Sequence, residues 1–551
     1  MTSVVAAGGV SVTIRDVTDD AQTVLDRVVS DGVPGALAAR SAQLWGPEAA
    51  SDAARRLGWL DLPESSRSLL PRLADLDAAG LDRVVLAGMG GSSLAAEVIT
   101  RTAGAELTVL DTTDPHQVAA AVRDRLERTL VVVSSKSGTT IETDSHRRIF
   151  EQAFRDAGIT GAELSRRFVV VTDPGSPLEE LGRRAGHQVV LADPDVGGRF
   201  SALSAFGLVP SALAGVDVAP LLDEAAALSP GLRQPYDNPG LALGAALGAA
   251  TLSGMDRLVL ADHGSGMAGF GDWAEQLIAE STGKDGKGLV PVVMEGVDAP
   301  GFEAADDALR FVLAGHPHAA GPAEDAGVSV CGPLGAQFLL WQYATAVACR
   351  VIGVNPFDQP NVQESKDNTA ALLRGAGDGS APMIVNAEPA LVTGAVEIHA
   401  PPELLKGAKD LGSAFDALLA AVPNRGYLAV MAYLDRLGDA AAAELRPLLA
   451  ARSAQTGGTT APVTFGWGPR FLHSTGQYHK GGPQTGLFLQ ITGAVTEDVE
   501  VPGRPYTLKA LQLAQAFGDL RALRSRDRPA VRVHLRDRAE GLDQMLRALK
   551  N

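Results

Sequence analysis

Val84-Val85-Leu86-Ala87-Gly88-Met89-Gly90-Gly91-Ser92-Ser93-Leu94 carries an apolar, β-branched run through a glycine turn with two hydroxyls and straight into a helical pattern. The spacing predicts a buried strand over Arg83–Leu86, a turn over Gly88–Ser93 and a helix from Leu94. A helix N-terminus at such a turn offers free backbone N–H groups and a positive dipole end, and glycines let an anion approach the backbone. A phosphate fits there. No Gly-Lys-Ser/Thr follows at the spacing of a P-loop, and the dinucleotide fingerprint is incomplete. Taken alone, the segment reads equally well as a tight turn capped by serine.

Working outward, the same strand–turn–helix plan recurs. Strands are expected at Leu107–Leu110, Leu130–Ser134 and Phe168–Thr172, with helices over Val118–Leu126 and Thr140–Ala157. This alternation outlines a doubly wound α/β sheet. A second block follows the Pro/Gly-rich stretch Leu232–Gly240, with strands at Arg257–Ala261 and Leu289–Met294 and helices over Gly271–Ser281 and Gly335–Ile352. A third, from about Asn386, shows strands at Tyr427–Tyr433, Val463–Trp467, Leu487–Thr492 and Val531–Leu535. It too reads as α/β.

The second polar turn sharpens the chemistry. Val131-Val132-Val133-Ser134-Ser135-Lys136-Ser137-Gly138-Thr139-Thr140-Ile141-Glu142-Thr143 places six hydroxyl side chains and a lysine after a strand, in a chain with only nine lysines against 39 arginines. Donors this dense, in a protein of net charge −17, point to an oxyanion held locally, best a phosphate monoester gripped by hydroxyls. That net charge also excludes the broad basic footprint of nucleic-acid binding. The 551 residues are 46% hydrophobic and 21% charged, which excludes disorder as the main state and predicts about three to four domains. Two cysteines, Cys331 and Cys349, support neither a disulfide framework nor a four-thiolate zinc site and suggest a reducing compartment. The N-terminus lacks a basic flank and cleavage site, and the apolar runs fall short of a membrane span. A cytoplasmic protein without metal, cofactor or membrane partner is expected.

Paired Gly-Gly-Ser and Ser-Lys-Ser-Gly-Thr-Thr turns resemble the sugar isomerase (SIS) fold, and two such units in one chain resemble the phosphoglucose isomerase family. Three further stretches agree. Gly197-Gly198-Arg199-Phe200-Ser201 is similar to the family's Gly-Gly-Arg-Phe-Ser signature, Glu280-Ser281-Thr282-Gly283-Lys284 to its Glu-Ser-x-Gly-Lys element, and Phe357-Asp358-Gln359 through Lys366 to its C-terminal ending, with Gln363 where Glu is usual. Together with Leu472-His473-Ser474-Thr475-Gly476-Gln477-Tyr478-His479-Lys480, the chain looks most like the isomerase half of transaldolase–isomerase fusions, without a transaldolase barrel. The resemblance implies an N-terminal helical extension at 1–75, SIS domains at 76–230 (phosphate-binding) and 231–385 (catalytic base), a C-terminal α/β region at 386–551, and a homodimer.

It also implies interconversion of glucose 6-phosphate and fructose 6-phosphate through a cis-enediolate. Glu280 is then the base, Arg199 the stabiliser of the anionic intermediate, and Lys366 the contact near the ring oxygen, while Ser92, Ser135, Lys136, Ser137 and Thr140 grip the phosphate. A carboxylate serves as base when partial burial raises its pKa toward neutrality. The histidine of the family's Gly-Gln-His triplet is missing at Gly335-Ala336-Gln337. Glutamine cannot exchange a proton near pH 7, so His473 or His479 is the candidate for ring opening, against the plainer reading that both sit in a surface turn. Alternatives are a dual phosphoglucose/phosphomannose isomerase and a non-catalytic sugar-phosphate-binding regulator, which would need the phosphate turns but neither Glu280 nor Arg199.

Overall fold

The computed structural model describes residues 2–15, 20–76, 78, 80–303, 307–316, 326–376, 388–455 and 461–550. Among them, no helix is long and apolar enough to cross a membrane. Three sheets organise the chain.

The first is five-stranded and parallel, with Arg83–Ala87 lying between Thr108–Leu110 and Thr129–Ser134, followed outward by Phe168–Thr172 and Gln188–Leu191. Val84, Val85, Leu86 and Val131 to Val133 are buried, the continuous apolar run that a sheet covered on both faces demands. Because the strand order reverses between Arg83–Ala87 and Thr129–Ser134, the crevice at their carboxyl ends is where a doubly wound sheet receives a ligand. The two polar turns singled out in the sequence leave from these two strands. The expected helix over Val118–Leu126 runs instead from Pro115 to Arg123, since Asp114 accepts from the His116 and Gln117 amides and Pro115 occupies the first helical position.

The second sheet sets Arg257–His263, Val290–Val293, Ala308–Ala314 and Val328–Cys331 in the same parallel order, the first strand inside the second and the later two following on its other side. Its far edge corrects the expectation of a helical extension over 1–75. Thr2–Ala7 and Val10–Arg15 form a hairpin that pairs antiparallel with Val328–Cys331, Val12 opposite Val330. Gly8 and Gly9 make its two-residue loop with φ of 54° and 80°, the conformation such loops require. Helices follow from Asp20 onward.

The C-terminal region is a third sheet of identical order. Tyr427–Tyr433, Val463–Trp467, Gly486–Gly493 and Ala530–Leu535 are parallel, and a hairpin, Leu391–Thr393 with Val396–His399, again joins the fourth strand. One apolar core runs through the first two units, from Val10 to Phe357, and the third has its own. Helix Pro239–Leu252 meets helix Leu334–Ile352 through glycines: a Cβ at Gly244 would come within 2.6 Å of Ala344 O, and one at Gly248 within 2.6 Å of the Val351 Cβ. Gly244→Leu therefore lowers stability by about 3 kcal/mol or more, read from a denaturant midpoint. Gly35→Ala, where a Cβ meets nothing within 4 Å, leaves that midpoint equal or higher.

Candidate functional site

A cavity of about 580 Å³ opens at the crevice of the first sheet and takes its walls from all three units. Ser92, Lys136, Ser137 and Thr140 line it together with Arg199, Glu280, Lys366 and His473. Eight of the ten residues singled out in the sequence thus share one space.

The hydroxyl end is built by local geometry. Gly90 sits at φ 55°, and a Cβ at Gly91 would stand 2.0 Å from Gly198 O, so the first turn presses directly on the turn that carries Arg199. In the second turn Ser135 is drawn inward. Its Oγ lies 2.9 Å from Thr140 Oγ1 and accepts from the Gly138 amide at 3.1 Å, so it braces the turn rather than lining the cavity. Lys136 Nζ pairs with Asp173 Oδ2 at 2.5 Å. Burial pushes the ammonium below and the carboxyl above their ordinary values, while the pairing opposes both shifts.

Arg199 is almost fully buried, and its donors reach across to the second unit. Nε donates to Ser281 Oγ at 2.9 Å, Nη1 to Gln359 Oε1 at 2.9 Å, and Nη2 to the Pro356 and Asp358 carbonyls at 2.6 and 2.9 Å. Nη1 also stands 3.0 Å from Glu280 Oε1. The other Glu280 oxygen accepts from Gln276 Nε2 at 3.1 Å, one turn back on helix Phe270–Thr282. The base candidate is therefore oriented by two donors. Beneath the turn at 355–359 lies buried Lys284, which donates to the Asn355 carbonyl, to Asp358 O at 2.9 Å and to Asp358 Oδ1 at 2.7 Å. Burial, then the neighbouring Arg199 charge, bring its ammonium down to about 8, against the pull of Asp358.

His473 reaches the cavity from the third unit on the short turn Arg470–His473. Its Nε2 lies 3.1 Å from Glu142 Oε1, which also accepts from Gln515 Nε2 at 2.7 Å. Burial works to raise the Glu142 carboxyl, but the His473 charge and hydrogen bond and the more distant Lys366 charge outweigh it and hold the group below its ordinary value. Lys366 is exposed on helix Pro360–Ala376. The expectation for His479 does not hold. Helix Gly476–Gly481 turns its ring into a cage of Tyr427, Phe471 and Phe488, where burial drives it well below its ordinary value and leaves it neutral. Gln337 is likewise remote from the cavity, accepting from Trp341 Nε1 inside the core.

Sequence reasoning missed Glu142 and Gln359, although both stood inside a quoted motif, and Gln276, one turn before Glu280. It also missed Arg56 and Asp173, isolated residues that only the chain path brings to the cavity. Among the described residues, no group of three or more His, Cys, Asp or Glu is arranged to hold a metal ion.

Residues 77–250 match the family described as phosphoglucose isomerase. The chain is 35% identical over 246 residues to a probable glucose-6-phosphate isomerase of Haloarcula marismortui, a match that covers 43% of this chain and 54% of that one. It thus spans about half the length of that relative. A glucose-6-phosphate isomerase of Listeria monocytogenes is 29% identical over 416 residues, covering 62% of this chain and 91% of its own. In fold, the chain is similar to the crystal structure of a glucose-6-phosphate isomerase from Chlamydia trachomatis, with a TM-score of 0.54 at 19% identity over 68% of this chain and 90% of that one. The matched domain is built on the parallel sheet that carries both polar turns, and over that span the chain is similar to the phosphoglucose isomerase family.

Proposed function

We propose that the protein interconverts glucose 6-phosphate and fructose 6-phosphate by moving a proton between C1 and C2 through a cis-enediolate, with Glu280 as the base. The observation that carries this reading is the Arg199–Glu280 pair at 3.0 Å, lining the same cavity as the hydroxyl turns. A regulator that only binds a sugar phosphate has no use for a buried carboxylate and guanidinium beyond the phosphate end. The cavity volume lies within the range of small-molecule sites.

The phosphate ester rests among Ser92, Ser137, Thr140 and Lys136, with Ser135 holding the turn. This remote binding energy fixes the carbon chain so that C1 and C2 face Glu280. Proton abstraction leaves negative charge on the C1 and C2 oxygens, and Arg199, always charged, meets it without rearrangement of the site. The same carboxyl then returns the proton to the neighbouring carbon. His473, oriented by Glu142, exchanges the proton that ring opening requires, with Lys366 beside the ring oxygen.

Incubation with fructose 6-phosphate in deuterated water yields glucose 6-phosphate labelled at C2; no conversion overturns the reading. Glu280→Gln lowers kcat by about a thousandfold while the melting transition persists. His473→Gln slows turnover of a single ring-closed anomer by roughly a hundredfold and spares exchange from the open chain, measured by following both in parallel. Finally, kcat falls as pH rises through about 8, where the Lys284 ammonium loses its proton and the 355–359 turn loses its clamp. Lys284→Arg, which keeps its charge, carries that decline to higher pH in a pH–rate profile.

A further inference from the structure

The phosphate end of the cavity holds a second cation that no motif supplies. Arg56 and Lys136 both line it, and both donate to one oxygen, the Pro194 carbonyl, at 2.9 and 3.3 Å. Their charges are close enough for Arg56 to disfavour the Lys136 ammonium. Three carboxylates stand near, each with a partner of its own. Asp173 is already paired with Lys136 at 2.5 Å. Asp52 also lines the cavity but accepts from Asn355 Nδ2 at 3.0 Å, and Asp193, outside the lining, takes the Asp195 amide at 2.8 Å. The other acceptor recorded for Arg56 is its neighbour's carbonyl, Arg55 O at 3.2 Å. Two cations converging on a neutral oxygen repel each other, and a bound dianion removes that cost.

The backbone behind Arg56 is fixed. Leu57 bridges Val196, the Gly58 amide donates to Asp195 O at 3.0 Å, and a Cβ at Gly58 would stand 3.1 Å from that same oxygen. The N-terminal segment is thereby laced to the loop leading into Arg199, and Arg56 is held where it lines the cavity.

We propose that Arg56 is a substrate-binding residue that meets the phosphate dianion beside Lys136 and shares its charge with it. This rests on the isomerase reading for the identity of the substrate, a sugar phosphate ester. A planar guanidinium meets two phosphate oxygens through two parallel N–H bonds in a fixed geometry.

Steady-state kinetics of wild type, Arg56→Gln and Arg56→Lys test it, with inorganic phosphate as competing inhibitor. Arg56→Gln raises KM for fructose 6-phosphate about tenfold and weakens phosphate inhibition by a similar factor, with kcat within about twofold; Arg56→Lys recovers most of both. A purely structural role would lower kcat and the melting temperature instead. Unchanged KM and unchanged phosphate inhibition in Arg56→Gln overturn the proposal. If wild type converts no substrate, the isomerase reading fails by itself. The rise in melting temperature caused by inorganic phosphate then decides for Arg56: a smaller rise in Arg56→Gln supports it, and an equal rise overturns it.

Discussion

A buried guanidinium must be matched by acceptors, because an uncompensated charge away from water costs several kcal/mol. Arg199 meets this constraint by leaving its own unit. It springs from the Gly198–Phe200 turn of the first unit, yet its recorded acceptors, Glu280, Ser281, Gln359 and the Pro356 and Asp358 carbonyls, all belong to the second. A polar contact that ties the two units together is therefore also the one that places a cation beside the base candidate. Folding and proton transfer ask for the same geometry.

Three sheets that share the order of their first four parallel strands frame a cavity that draws on the whole chain. The first unit offers the crevice at its strand reversal, the second lays helix Phe270–Thr282 across it, and the third delivers His473 on a turn anchored from below. That anchor is Arg470, which pairs with Glu97 at 2.7 Å and with Asp111, just past strand Thr108–Leu110, at 3.1 Å. Burial acts to lower the Arg470 guanidinium, but Asp111, Glu97 and Asp272 together raise it above its ordinary value. Small shared aromatic and aliphatic clusters complete the seams, one joining Ala279 and Val290 to the Tyr427–Tyr433 strand, another joining the first sheet to Val501, Leu508 and Leu511.

Much of this was legible in the sequence, for physical reasons that differ by element. Interior strands such as Thr129–Ser134 announce themselves because both faces are buried and every position is apolar or small. The polar turns and Glu280 are legible because catalysis and anion binding demand particular residue types at particular spacings. The hairpin over 2–15 was missed although its Gly8-Gly9 loop carries a hairpin signal, since its inner strand, Val10–Arg15, joins the sheet on a strand more than 300 residues away. Short strands such as Val328–Cys331 hold too few residues for a period to show.

Local preference, then, determined the elements: which runs become strands, which glycines turn sharply, and which turns are rich in donors. Contacts between distant segments decided the rest. Only the packing of the third unit put His473 at the cavity and His479 in an aromatic cage, six residues apart on almost the same stretch of chain. Only the path of the N-terminal segment brought Arg56 to Pro194. A helical turn separates neighbours in direction while a folded chain joins strangers in space, so a side chain's chemistry is written in its residue type and its role in what the rest of the molecule places beside it.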